Sequence, residues 1–343
     1  MVPLRTLYKP SPQAVVVESV FKNKNVIITG GLGFIGSNLA FRLIDLGANV
    51  TLVDSLIPDY GGNIFNINGI KDQVRVNISD VRDPYSINHL IKGQDYLFNL
   101  AGQTSHMDSM DNPQVDLEIN AKAQLFILDA CKLHNRGIKI VYASTRQIYG
   151  KPEYLPVNEK HSLRPIDING INKFAGELYH LLHNNIYGIR TTVLRLTNTI
   201  GPRMRVKDAR QTFVGLWVKL LTEGKPFDVW GGEQLRDFTY VDDAVDAFIM
   251  AAMTDKANGK VFNLGGDCVI SLQKLAELMI EVNGGGEYVV RPFPGDRKKI
   301  DIGDFYADYS AIQTELGWKP KTPLREGLQK TLEYYRKHLM RYI

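Results

Sequence analysis

The sequence predicts an α/β protein: a doubly wound parallel sheet with helices on both faces, followed by a smaller C-terminal domain of mixed α and β elements. Three observations carry this prediction. Short apolar runs alternate with longer stretches of helical periodicity, a glycine-rich turn joins the first run to the first helical stretch, and the regular alternation stops near residue 200. The 343 residues suit about two domains, enough to build cores without metal or disulfide staples.

Residues 1–24 read as an N-terminal arm. Val26-Ile27-Ile28-Thr29 is a short apolar run, the mark of a strand covered on both faces. Phe34, Leu39, Leu43 and Leu46 then form one helical stripe, which Gly47 ends. Val50 to Val53 reads as a second strand, and Val74–Ile78, Tyr96–Leu100, Ile138–Ala143 and Thr191–Leu196 as four more. Helical stretches around Leu117–Leu133 and Asn172–Asn184 separate the later ones, so the parallel sheet spans 25–200. From 201 to 343 glycine, proline and charge become frequent, as expected of a smaller domain of mixed elements, some segments of which return to the first. The last stretch, with Leu324, Leu328, Leu332, Tyr335 and Leu339 at helical spacing, is expected to pack on the body.

Composition excludes several classes of function. The net charge is only +4 with no basic stripe, which argues against nucleic acid. No run of about 18 apolar residues could span a membrane, and no apolar segment follows Arg5 and Lys9 as a secretion signal would require. Cys131 and Cys268 stand far apart, forming neither a disulfide framework nor a metal spacing. The expectation is a cytoplasmic protein without a metal.

Gly30, Gly33 and Gly36 lie between a strand and a helix, where a dinucleotide site needs a tight turn, close approach to a pyrophosphate and close helix–strand packing. The helix start at Phe34, Ile35 and Gly36 would present amides to phosphate. Asp54 ends the second strand 18 residues after Gly36, where a carboxylate accepts ribose hydroxyls and repels a 2′-phosphate. The sheet is therefore Rossmann-like and the expected cofactor is NAD.

Gly30-x-x-Gly33-x-x-Gly36 resembles the fingerprint of the extended short-chain dehydrogenase/reductase family, the nucleotide-sugar epimerases and dehydratases, and the resemblance runs over roughly residues 24–335. It implies that Asp80 and Val81 of Asp80-Val81-Arg82-Asp83 contact adenine, that Leu100-Ala101-Gly102 line the cofactor, and that Asn120 shapes the site. It also assigns Asn198 (in Arg195-Leu196-Thr197-Asn198), Arg203 (in Gly201-Pro202-Arg203), Arg236 (opening Arg236-Asp237-Phe238-Thr239-Tyr240) and Arg297 (in Pro294-Gly295-Asp296-Arg297) to the nucleotide diphosphate of a sugar substrate, as suits guanidinium groups. Thr104, Ser105, Arg146 and Gln147 are implied to face the substrate.

The family's chemistry uses a Ser or Thr that holds the reacting hydroxyl, a Tyr base, and a Lys four residues after it. Thr145 and Lys173 fit the first and last. The tyrosine position is Asn169, whose amide cannot shuttle a proton. The Asp-Glu pair that 4,6-dehydratases carry after the Thr is Arg146-Gln147 here, which argues against ordinary 4,6-dehydration. His106, in Gln103-Thr104-Ser105-His106, is the histidine beside a motif and the candidate base, with Lys173 a second possibility. Three functions stay open: an NAD-dependent nucleotide-sugar epimerase working by transient oxidation of a ring carbon, a dehydratase of unusual regiochemistry or a non-redox rearrangement, and a non-catalytic binder of NAD and a nucleotide-sugar. A homodimer is expected from relatives that pair through the two helical stretches, with Phe126, Phe174, Leu178 and Leu182 as candidate contacts.

Overall fold

The computed structural model describes residues 19–58 and 60–343. Seven parallel strands form the main sheet: β1 (Asn25–Thr29), β2 (Asn49–Asp54), β3 (Val74–Ile78), β4 (Tyr96–Asn99), β5 (Lys139–Thr145), β6 (Arg190–Leu196) and, much later in the chain, β10 (Val261–Asn263). Their spatial order is β10-β6-β5-β4-β1-β2-β3. The chain winds outward one way through β2 and β3, then returns to β4 and winds the other way. The reversal lies between β1 and β4, where Ile28 is in register with Leu52 on one side and Phe98 on the other. In such sheets the crevice beyond the carboxyl ends at the reversal is the place for a ligand.

Both faces are covered. Helices Phe34–Asp45 and Val241–Met253 pack on one face around Leu39, Leu43, Ala244 and Phe248. Helices Pro84–Leu90 and Ala123–His134 cover the other around Ile87, Ile127 and Leu128. This double burial is why the strands read as continuous apolar runs rather than as alternating ones. The helix Ile168–Tyr187 starts on Asp167, whose side chain accepts the Gly170 amide, and stops at Gly188 in the left-handed conformation.

The predicted arm needs a partial correction. Residues 1–18 lie outside the described residues, but residues 19–21 are helical and Phe21 is fully buried, its ring 5.0 Å from that of Tyr96. The end of the arm is thus core, because an aromatic ring of this size excludes water most effectively between the sheet and the first helix.

Beyond Ile200 the chain builds a second, smaller unit. Strands β7 (Asn198–Ile200), β9 (Leu235–Tyr240) and β11 (Val269–Ser271) form one sheet, and β8 (Phe227–Trp230) pairs with β12 (Tyr288–Arg291). Helices Phe213–Thr222, Leu272–Asn283 and Leu324–His338 enclose a core of Trp217, Val218, Leu275, Met279, Leu328, Leu332 and Tyr335. Helix Val241–Met253 and β10 go back to the main sheet, so the boundary is crossed repeatedly.

A buried ionic network fastens the main sheet to its longest helix. Arg195 Nη2 lies 2.5 Å from Glu177 Oε1, both nearly without solvent contact, and Ser144 Oγ donates to Glu177 Oε2 at 2.7 Å. Arg195 Nη1 also donates to the Tyr149 hydroxyl at 2.7 Å, which donates on to Asn263 at 2.6 Å in β10. Removing the carboxylate would strand a guanidinium in the interior. Glu177→Ala is expected to cost about 3–5 kcal/mol, read as a lowered denaturation midpoint with an unchanged slope; an unshifted midpoint would show that solvent reaches Arg195.

Candidate active site

A cavity of about 330 Å³ opens at the β1/β4 reversal, the size range of small-molecule sites. One wall is the glycine turn. Gly30 has φ +68°, and a Cβ there would press on the backbone of Leu100 and Ala101 at 3.0 Å; a Cβ on Gly36 would lie 2.3 Å from the Gly30 carbonyl oxygen. The helix Phe34–Asp45 starts on Gly33 with no side chain capping it, so its first-turn amides stay available to an anion. Asp54 reaches the same cavity; its Oδ2 accepts the Leu32 amide at 3.1 Å and its Oδ1 that of Leu56 at 3.0 Å. Burial raises its pKa against these two donors. Val81, Leu100, Ala101 and Gly102 complete this end, together with Asp80. Burial works to raise the Asp80 pKa, but Arg82, gripping the carboxylate at 2.7 Å, wins and holds it below the ordinary range. A bare helix start, a turn whose glycines let backbone approach closely and a carboxylate at the end of β2 are what a dinucleotide without a 2′-phosphate requires.

The other end collects the candidate catalytic groups. Thr145 ends β5 on the cavity wall, and its Oγ1 accepts the Gln147 amide at 3.3 Å. Lys173, also on the wall, is 7% exposed, with Nζ 4.5 Å from the Tyr142 ring centre. Burial pulls its pKa down to about 8, against the nearby carboxylates of Asp116 and Glu177. His106 begins the short helix His106–Asp111, and its Nδ1 lies 3.0 Å from Asp167 Oδ2. Asp167 is buried, which alone would raise its pKa, yet His106, the Gly170 amide and the Gln147 side chain together keep it lowered. Nδ1 makes this charge contact without an aligned hydrogen bond, and His106 itself lines the cavity.

Asn169 plays a part the sequence does not suggest. Its Nδ2 donates to the Gln103 carbonyl at 2.7 Å and to Asp116 Oδ2 at 3.1 Å. Asn120 donates to the same two acceptors, at 2.9 and 3.0 Å, and Asn172 donates to Asp116 Oδ1 at 2.8 Å. Asn120 sits in a single π turn, Glu118–Lys122, of the kind found at functional sites, and it stands behind the cavity wall rather than on it. Asp116 and Asp167 escape the sequence reading, although each has a signal: Asp116 lies four residues before Asn120 on one helical face, and Asp167 occupies a helix-start position just before Asn169.

Other assignments need correcting. Gln147, Asn198, Arg146 and Thr104 do line the cavity. Ser105 instead caps the helix of His106 by accepting the Asp108 amide at 3.1 Å, because its hydroxyl stands at that helix's start. Arg203 lies off the cavity, its guanidinium bound to Asn38 Oδ1 at 2.6 Å and the Asn66 carbonyl at 3.1 Å and stacked 4.1 Å over Phe41. It braces the two domains. Arg236 is buried off the wall, paired with Asp301 at 3.3 Å and with the carbonyls of Leu235 and Gly303, since an interior guanidinium must find acceptors. The side chain of Arg297 lies outside the described residues.

Residues 26–265 match the model of the NAD dependent epimerase/dehydratase family. The chain belongs to that family. A putative UDP-glucose 4-epimerase of Methanocaldococcus jannaschii is 32% identical over 90% of this chain and 97% of its own. The UDP-glucose 4-epimerase of Thermotoga maritima, solved with UDP-glucose, superposes with a TM-score of 0.84 at 31% identity, covering 92% of this chain and 99% of that one. That of Thermus thermophilus, solved with NAD, gives 0.81 at 25% identity, covering 91% and 99%. The cofactor is NAD, and the family acts on nucleotide-sugars. Among the described residues no helix is long and apolar enough to cross a membrane.

The buried lysine yields a signed pH prediction for the cofactor-free protein. Its folded pKa is depressed, so folding is penalised below about 8 and the penalty vanishes above the ordinary value of 10.5. The stability of the wild type relative to Lys173→Met should therefore rise between pH 8 and 10.5 by an amount on the order of a few kcal/mol, measured by urea unfolding at each pH; a flat difference would mean the ammonium is solvated.

Proposed function

We propose that the protein is an NAD-dependent nucleotide-sugar epimerase in which the His106–Asp167 pair takes the place of the family's tyrosine. The observation that carries this reading is the 3.0 Å contact between Nδ1 of His106, which lines the same cavity as Thr145 and Lys173, and Oδ2 of the buried Asp167 behind it. Bound NAD supplies a reversible hydride acceptor for a hydroxyl-bearing ring carbon. The glycine turn and Asp54 would hold its adenosine diphosphate half, and Lys173 its nicotinamide ribose. Thr145 orients the reacting hydroxyl through its own hydroxyl hydrogen, because its oxygen already accepts the Gln147 amide. His106 Nε2 takes the hydroxyl proton and later returns it, with the Asp167 carboxylate 3.0 Å from Nδ1 to orient the ring. Asn169 moves no proton; it holds the Gln103 carbonyl, and with it the loop that carries His106.

Retention of the sugar's mass separates this reading from the alternative of a dehydratase. Arg146 and Gln147 offer no carboxyl acid or base at the positions where 4,6-dehydratases carry Asp-Glu. A substrate deuterated at the reacting carbon should return an epimer that keeps both its label and its mass; loss of one water would establish the dehydratase. His106→Ala should lower kcat by about 10²-fold or more and Asp167→Asn by less, and wild-type turnover in His106→Ala would remove the pair from the mechanism.

We also propose a homodimer, in the cytoplasm as the two unpaired cysteines suggest. Leu178, Leu182 and Ile186 are 48%, 52% and 65% exposed along one face of helix Ile168–Tyr187, and Leu117, on the neighbouring short helix Pro113–Leu117, is 43% exposed. A contiguous apolar face of this kind on a catalytic helix is suited to a second copy. Phe174, by contrast, packs inward against the cluster of Ile148 and Phe305. Light scattering should give twice the 38.6 kDa chain mass, and Leu178→Glu with Leu182→Glu should return the monomer.

A further inference from the structure

Arginines around the cavity differ in how they are used. Arg195 is bound to Glu177, Arg203 to Asn38 and Asn66, and Arg236 to Asp301 and two carbonyls. Arg146 is on the wall itself, yet its Nε is shielded from solvent and has no hydrogen-bond partner, and among the described residues no carboxylate forms an ion pair with its guanidinium. Phe305 lies 5.7 Å beneath it and supports the plane of the fork. Of the acids that act on it, Asp301 is engaged by Arg236 and the Gly303 amide, while Asp237 gives Oδ2 to the amides of Ala307 and Gly266 and keeps Oδ1 buried without a partner. Burial and the like charge of Arg236 pull the Arg146 pKa down to about 9, which still leaves it a cation at neutral pH.

We propose that Arg146 binds a carboxylate carried by the sugar, so that the substrate is a nucleotide-linked uronic acid or a similarly acidic sugar. This rests on the nucleotide-sugar reading above and adds the class of sugar to it. A guanidinium has five donors in a planar fork, and a carboxylate is the planar, bidentate acceptor that matches it. Position selects the sugar over the diphosphate. Arg146 directly follows Thr145, and the next residue, Gln147, donates at 2.9 Å to the Asp167 carboxylate that holds His106. The free fork therefore sits at the reacting end of the cavity. A neutral hexose would leave its donors unpaired, and sites of that kind discriminate strongly against the analogue lacking the partner.

Calorimetric titration of the NAD-loaded enzyme tests this. UDP, dTDP, CDP and GDP first identify the base. The neutral-sugar and uronate conjugates of the tightest are then compared, glucose against glucuronate or, for GDP, mannose against mannuronate. The uronate should bind about 10- to 100-fold more tightly in the wild type, equally with the hexose in Arg146→Met, and with part of its preference restored in Arg146→Lys. Equal binding of the two sugars by the wild type overturns the carboxylate assignment, and this comparison needs no variant to fold. Loss of bare-diphosphate affinity in Arg146→Met as large as that of the uronate also overturns it, placing the fork on phosphate. If none of the four diphosphates binds, the nucleotide-sugar reading itself falls and takes this inference with it.

Discussion

The buried carboxylate of Asp116 is the constraint on which the catalytic half depends. It has no solvent contact and receives amide donors from Asn120, Asn169 and Asn172, while the Lys173 ammonium supplies charge nearby. A charge so placed must be paired and hydrogen-bonded, or it would shift the fold to expose itself. The three amides come from two separate segments, so satisfying Asp116 fixes how the π turn meets the lysine helix. The Gln103 carbonyl, held by two of the same amides, transmits that alignment to the loop ahead of His106.

This explains why a tyrosine is absent where the family motif would put one. A phenolate beside Asp116 would face a like charge, which raises its pKa and defeats a general base. An asparagine is neutral at every working pH and donates where the carboxylate needs a donor. Asn169 and Asp116 thus form one arrangement, and the proposed proton carrier is a histidine on the loop that Asn169 holds. That histidine is held by a second carboxylate, Asp167, which also starts the lysine helix. Each of the two acids therefore both shapes backbone and lies against a cationic or ionisable side chain of the cavity.

Much of this is legible in the sequence where the cause is local. Strands such as Val74–Ile78 and the glycine turn are written in runs of a few residues, and Asp54 follows from its distance to Gly36. Thr145, Lys173 and His106 are legible as cavity residues because each is short-range anchored to the end of a strand or the start of a helix. The long side chains are not. Arg203 and Arg236 occupy motif positions, yet their guanidinium groups reach partners 137 and 65 residues away in sequence. Ser105 reads as facing substrate from its place in the loop, although the Ser-x-x-Asp spacing to Asp108 also marks a helix start. Asp116 shows in the sequence only through its i,i+4 spacing to Asn120, because its other contacts come from Asn169 and Asn172, which lie more than fifty residues away. Phe21 lies in a segment without periodicity, so only its packing against Tyr96 places it in the core.

The return of β10 to the edge of the principal sheet has a consequence for how such an enzyme can change over evolutionary time. Because the polypeptide leaves the nucleotide-binding layer after β6, comes back for helix Val241–Met253 and β10, and leaves again for β11, no single cut severs the smaller lobe. The lobe cannot be swapped as a cassette between genes, nor swing on one hinge. New specificities then arise by point changes on the cavity wall rather than by exchange of the lobe, within a frame whose two halves are inherited together.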